Sequence, residues 1–161
     1  KEAGGTLKFG YRRQPMTMAT HVIYALDEAT RLVIEEGPDV RFKRHKTASR
    51  ALRAALPALG LRLFPDESEA SPTTTAILTP EGMDEGLVRT IMKERFGILC
   101  SGGLEEYYRK MFRIGHMAMT ASFEYIMPTV AALESAMTEL GIRVEPGSAV
   151  NAAREVFDGE C

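Results

Sequence analysis

Tryptophan is missing from this 161-residue chain, and cysteine occurs only twice, at Cys100 and Cys161. Two thiols so far apart make neither a metal knuckle nor a disulfide framework, and they point to a reducing, cytoplasmic setting. No apolar run reaches the ~18 residues that cross a bilayer and no signal-peptide core opens the chain, so no membrane is expected. An excess of one charge is also lacking, with 20 Lys and Arg against 22 Asp and Glu and a net charge of −2. Nothing in that balance argues for nucleic acid as a partner or for a solvated anionic tail. Neither Gly-x-Gly-x-x-Gly after a strand nor Gly-x4-Gly-Lys-Ser/Thr is present, which removes support for a stand-alone nucleotide-binding domain. The chain opens on Lys1 rather than Met, which points to processing or truncation.

What is present fits a globular fold, since 45% of positions are apolar and 26% charged. Residues 1–19, with Gly4, Gly5, Gly10 and Pro15, read as an irregular lead-in from a domain not included here, and residues 20–161 as one domain with a connecting helix. From Thr20, an expected N-cap, Val22, Leu26, Ala29 and Val33 recur with helical spacing up to Gly37-Pro38. A second helix is predicted from Asp39 to Gly60, with a stripe of Ala48, Leu52, Ala55 and Leu59. Leu61–Phe64 and the β-branched Thr73–Thr79 read as strands. Asp84 caps a helix that ends at Gly97, and Ile98–Cys100 and Met111–Met117 are expected to be strands. Phe123 to Leu140 and Ser148 to Phe157 complete the helices, with Pro128 a kink or a start. The order implies an α+β fold, a small sheet covered by helices.

Lys110-Met-Phe-Arg-Ile-Gly-His-Met117 is the sharpest local feature. Alternation puts Arg113 on one strand face with Met111, Gly115 and Met117. A guanidinium on an apolar face is costly unless an anion meets it, and its planar fork fits a carboxylate through two parallel hydrogen bonds. Gly115 on the same face leaves room for a ligand. Pairing with a structural Asp or Glu is the competing reading, and the residues alone leave both open.

Phe112-Arg-Ile-Gly-His-Met117, preceded by Ser101-Gly-Gly-Leu104 and by Thr17-Met-Ala-Thr-His-Val-Ile-Tyr-Ala-Leu26, resembles the C-terminal part of class V pyridoxal-phosphate aminotransferases, the alanine–glyoxylate and serine–pyruvate group. Glu35-Glu-Gly37 and Ala58-Leu-Gly-Leu-Arg-Leu-Phe64 also read like that family, and the likeness extends from Gln14 to about Leu140. The resemblance implies the small, mostly antiparallel C-terminal domain of a fold-type-I enzyme. It implies a homodimer that moves an amino group from a small amino acid to a 2-oxo acid such as glyoxylate or pyruvate. It makes Arg113 the ligand of the substrate's α-carboxylate and Thr17 a ligand of the cofactor phosphate across the subunit boundary. Gln14 stands where the family often has a tyrosine, and Thr17-Met-Ala-Thr-His21 lacks the family's prolines. The Schiff-base lysine and the cofactor-ring partners belong to the large domain, so no catalytic residue is expected within this chain and the chain alone is expected to be inactive.

Other groups have plainer readings. His116 is expected to be a packing histidine on the face opposite Arg113, and His21 a cap or an anion contact. Arg41, Lys43, Arg44, His45 and Lys46 suggest a phosphate or RNA patch, but a solvated helix face is expected. Cys100 is expected to be a buried structural thiol, although a lyase or desulfurase would use it as nucleophile. Ser101-Gly102-Gly103 offers N–H groups to an anion, and the nine methionines read as core filling without a metal role. A non-catalytic binding or dimerisation module is the alternative from a different class.

Overall fold

The computed structural model describes residues 17–160, so Gln14 and most of the expected lead-in lie outside it. The chain divides into two units, residues 1–38 and residues 39–161.

The first unit contributes α1 (Thr20–Glu36), which buries none of its residues. Thr20 is its first helical residue and not its cap, which is Ala19. Arg31 pairs with Glu28 and Glu35 along the polar side, each contact at 2.8 Å. Such exposed pairs contribute only a few tenths of a kcal/mol, about what helical i,i+4 pairs give. The other side carries Val22, Ile23, Leu26 and Ile34, all exposed. A 17-residue helix with no buried face is marginal in water, so α1 depends on what covers it.

The second unit starts with α2 (Pro38–Ala58) and ends with α5 (Ser148–Asp158), with α3 (Glu85–Phe96) and α4 (Phe123–Glu139) between. Its strands are β1 (Arg62–Leu63), β2 (Thr74–Leu78), β3 (Ser101–Gly102) and β4 (Met111–Gly115). They form one antiparallel sheet in the order β1-β2-β4-β3, as the α+β reading expects. β3 begins at Ser101, beyond the Ile98–Cys100 run expected to pair. The chain has to clear the C-cap at Gly97, whose φ of 69° turns it out of α3, before it can reach β4.

Ala48, Leu52 and Ala55 of α2, Val88 and Met92 of α3, and Val130, Leu133 and Met137 of α4 pack with Ile77 and Phe112 of the sheet. The stripe read for the second helix, Ala48, Leu52, Ala55 and Leu59, is therefore in the core, whereas that of α1 is not. Asp84 caps α3 as expected, its Oδ1 accepting from the N–H groups of Gly86 (2.9 Å) and Leu87 (3.2 Å). α4 runs unbroken through Pro128, which lies in its second turn.

Two glycines of the sheet have opposite tolerances. A Cβ on Gly103 would lie 2.0 Å from the Tyr107 carbonyl oxygen, which is backbone and cannot yield. A Cβ on Gly115 would meet nothing within 4 Å. Gly103→Ala is therefore expected to destabilise the fold by ~3 kcal/mol or more in urea unfolding, and Gly115→Ala by less than ~1 kcal/mol.

Candidate functional site

The register of the sheet decides what surrounds Arg113. β4 alternates, with Phe112, Ile114 and, just beyond the strand, His116 buried on the helix-covered face. Arg113 and Gly115 turn to the other face, as the alternation predicts, where burial falls along the strand from a buried Met111 through a half-buried Arg113 to an exposed Gly115. Arg113 pairs with Ala76 on β2 and with Ser101 on β3, and Gly115 pairs with Thr74. Paired residues share a face, so small side chains stand on both sides of the guanidinium and open space stands beside Gly115. Phe64, whose N–H donates to the Ala76 carbonyl at 2.9 Å, meets Tyr107 edge to face with centroids 4.9 Å apart.

The guanidinium of Arg113 is half-buried and forms no ion pair with any described acidic side chain. Its Nε and Nη2 donate to the carbonyl oxygen of Gly102, at 3.2 and 3.1 Å. A carbonyl fixes the direction of the fork without neutralising its charge. Among the described residues no acid neutralises the guanidinium, and the fork retains N–H donors beyond the two that the carbonyl accepts from.

Behind Gly102 lies a pair that the sequence reading passed over. Glu85, 1% exposed, forms an ion pair with Arg89 one turn along α3. A Cβ on Gly102 would lie 3.1, 3.3 and 3.6 Å from Nη2, Cζ and Nε of Arg89, so the flat guanidinium packs directly on that glycine. The available signal was the i,i+4 Glu–Arg spacing just after the Asp84 cap, which reads as an ordinary surface pair until the burial of Glu85 is known.

The remaining candidates separate clearly. Thr17 is exposed and precedes α1 in the first unit, whereas Arg113 belongs to the second. His21 is exposed in the first turn of α1. The N–H of Gly103 donates to the Met111 carbonyl at 2.8 Å, so the Ser101-Gly102-Gly103 turn spends that donor on the sheet and not on an anion. The basic run of α2 is not a solvated face throughout. His45 is buried, with Nδ1 bonded to the Arg41 carbonyl (2.8 Å) and Nε2 accepting from the N–H of Ala118 (3.0 Å). Arg44 donates to the carbonyls of Ala118 (2.6 Å) and Ala121 (2.8 Å). The expectation failed because one helix face carries both solvated and tethering cations, and composition does not tell them apart. Arg41, His45, Lys46, Arg50, Arg53 and Glu67 line a cavity of about 780 Å³ that includes neither Thr17 nor Arg113. No group of His, Cys, Asp or Glu among the described residues could hold a metal ion, and no helix among them is long and apolar enough to cross a membrane.

Cys100 is buried, its Sγ 3.9 Å from Met92 Sδ, and burial pushes its thiol up to about 11. At neutral pH it is almost wholly protonated, which suits packing and not nucleophilic attack. With Cys161 changed to Ser, Cys100 is expected to react with a thiol reagent only after denaturant is added; rapid labelling of the native protein would contradict this.

His116 is fully buried, shares a 2.9 Å hydrogen bond between Nε2 and Thr75 Oγ1, and leaves Nδ1 without a partner. Burial lowers its pKa to about 4, below the value near 6.5 of an unfolded histidine. The unfolded chain then binds the extra proton first, so stability due to neutral His116 is complete above pH ~6.5 and falls as pH drops toward 4. The loss amounts to as much as ~3 kcal/mol. His116→Gln is expected to flatten this part of the urea-midpoint profile between pH 7 and 4.5, leaving the contribution of the other carboxylates and histidines.

No family model matches the chain. It is 38% identical over 147 residues to a pyridoxamine–pyruvate transaminase of Mesorhizobium japonicum, covering 91% of this chain and 37% of that protein. It is 37% identical over 142 residues to an (S)-ureidoglycine–glyoxylate transaminase of Bacillus subtilis, covering 88% and 34%. The crystal structure of a pyridoxamine–pyruvate aminotransferase from Mesorhizobium loti superposes on 92% of this chain and 38% of its own with a TM-score of 0.87 and 37% identity. The chain thus spans little more than a third of the length of the relatives it matches. Over about nine-tenths of its own residues the chain is thus similar, in sequence and in fold, to one part of these aminotransferases.

Proposed function

We propose that this chain is the C-terminal, small-domain portion of a class V pyridoxal-phosphate-dependent aminotransferase, a cytoplasmic homodimer that moves an amino group from a small amino acid to glyoxylate, pyruvate or a similar 2-oxo acid. Residues 1–19 are the lead-in from the large domain, and residues 20–161 are the connecting helix and small domain. The observation that carries this reading is Arg113, half-buried, aimed by the Gly102 carbonyl and unclaimed by any described acid. Both amino donor and 2-oxo acceptor present a carboxylate, so one fixed guanidinium serves both halves of a ping-pong cycle. The relatives named for pyruvate and glyoxylate point to small acceptors.

Arg113 holds the acid group by its free N–H donors and so sets the orientation of the bond to be broken at the neighbouring carbon. Gly115 and Ala76 leave the space that the rest of a small substrate fills. The exposed hydroxyl of Thr17 fits an acceptor-rich phosphate, and it is the group that would hold the cofactor from this chain. Pyridoxal phosphate, when bound, supplies the electron sink that an α-proton transfer requires. The lysine and ring contacts it needs belong to the large domain, so the chain alone is inactive in this reading.

In the full-length protein, Arg113→Ala is expected to raise KM for both substrates and lower kcat/KM on the order of 100-fold, as for the loss of a charge-assisted pair of ~3 kcal/mol. Arg113→Lys should recover only part, because a point charge replaces a fork. Steady-state kinetics with each substrate varied in turn decide it, and unchanged kcat/KM for donor and acceptor would refute the carboxylate role.

A further inference from the structure

Arg113 is held by a single carbonyl, so its aim is only as good as the placement of Gly102. That residue lies on β3, an edge strand of two residues paired to β4 alone. Hydrogen bonding within so short an edge does not fix a peptide to the ~0.5 Å that a positioned guanidinium requires. Something has to press on it from behind.

The Arg89 guanidinium is what stands there, filling the space that a Cβ on Gly102 would need, and it is held by Glu85 through Nε with a further Nη2 contact at 3.4 Å. Glu85 is buried at the first turn of α3, whose N-terminus is fixed by the Asp84 cap. A rigid helix end thus carries a carboxylate, the carboxylate orients a planar cation, and that plane forms the bed on which Gly102 rests. A side chain at Gly102 would displace it. We propose that the Glu85–Arg89 pair, with its carboxylate buried and its guanidinium partly so, is a positioning device for Arg113, setting the Gly102 carbonyl that aims the substrate-binding guanidinium. Arg89 does not touch substrate in this arrangement and acts through the peptide between the two arginines. The proposal rests on the reading of Arg113 as the carboxylate ligand.

The test is a double-mutant cycle in the full-length protein. Glu85→Gln is combined with Arg89→Leu, so that no lone charge is left buried, and the combination is made in wild-type and Arg113→Ala backgrounds. With Arg113 intact, KM for the amino acid and for the 2-oxo acid is expected to rise about tenfold while kcat changes less than about threefold. In the Arg113→Ala background the same replacement should change kcat/KM less than about twofold, because the group it positions is gone. Where the double replacement does not yield folded protein, Gly102→Ala, which pushes against the Arg89 plane, takes its place in the cycle with the same expectation. An unchanged KM with Arg113 present, or an equal rise in both backgrounds, overturns the proposal while leaving the role of Arg113 intact. If Arg113→Ala itself leaves kcat/KM unchanged, the carboxylate reading fails first, and that result is recognised without the second arm.

Discussion

The arrangement of this domain depends on one hydrogen-bonded contact, the Gly102 carbonyl accepting from two nitrogens of Arg113. A carboxylate in that place would have given a stronger contact and ended the matter, with both charges neutralised inside the protein. A carbonyl offers only a partial charge. It restrains the fork in rotation while leaving the cation uncompensated on a face where water is partly excluded. In the proposed role, the cost of that half-desolvated charge is offset when an external anion arrives, which is the energetic definition of a binding group as opposed to a structural one.

The two faces of β4 explain how the chain maintains this imbalance. Phe112, Ile114 and His116 are locked into the core, so the strand cannot slip by one residue without exposing three buried side chains and burying Arg113 among the helices. Register, fixed from the apolar face, therefore decides what the open face presents. The partners across the ladder, Ala76 and Ser101, are small enough to leave the guanidinium accessible. In the proposed role of Arg113, stability and recognition are carried by alternate residues of one five-residue strand.

Much of this was legible in the sequence because it obeys simple periods. The stripes of α2, α3 and α4, the Asp84 cap and the alternation around Arg113 all followed from spacing, and the α+β arrangement from the order of elements. Resemblance across three blocks added the role expected of Arg113. What escaped was whatever depends on contacts distant along the chain. β3 fell on Ser101–Gly102 and not on the more strand-like Ile98–Cys100 because pairing to β4, not propensity, chooses the edge. Nothing in the i,i+4 spacing of Glu85 and Arg89 tells that α3 turns them under Gly102. His45 and Arg44 looked solvated because their tethering partners, the Ala118 N–H that donates to His45 and the carbonyls that accept from Arg44, lie more than 70 residues away.

Those two α2 residues bear on the same question of rigidity. Ala118 has φ 51°, a left-handed conformation that costs an alanine roughly 1 kcal/mol. It holds that conformation because His45 accepts from its N–H and Arg44 donates to its carbonyl, so both of its peptide groups are claimed by one helix. The exit of β4 is thereby pinned three residues after Gly115, while its entry is pinned by the Gly103 N–H on Met111 and the Thr79 N–H on Lys110, at 2.8 and 2.9 Å. Arg113 sits at the middle of a strand fixed at both ends and bedded from one face. A lysine there would keep the charge but bring a freely rotating stem, and the ordering that the backbone has already imposed on the guanidinium would have to be supplied at each binding event. In the proposed role, the use of arginine at this position follows from that pre-organisation as much as from the match between a planar fork and a carboxylate.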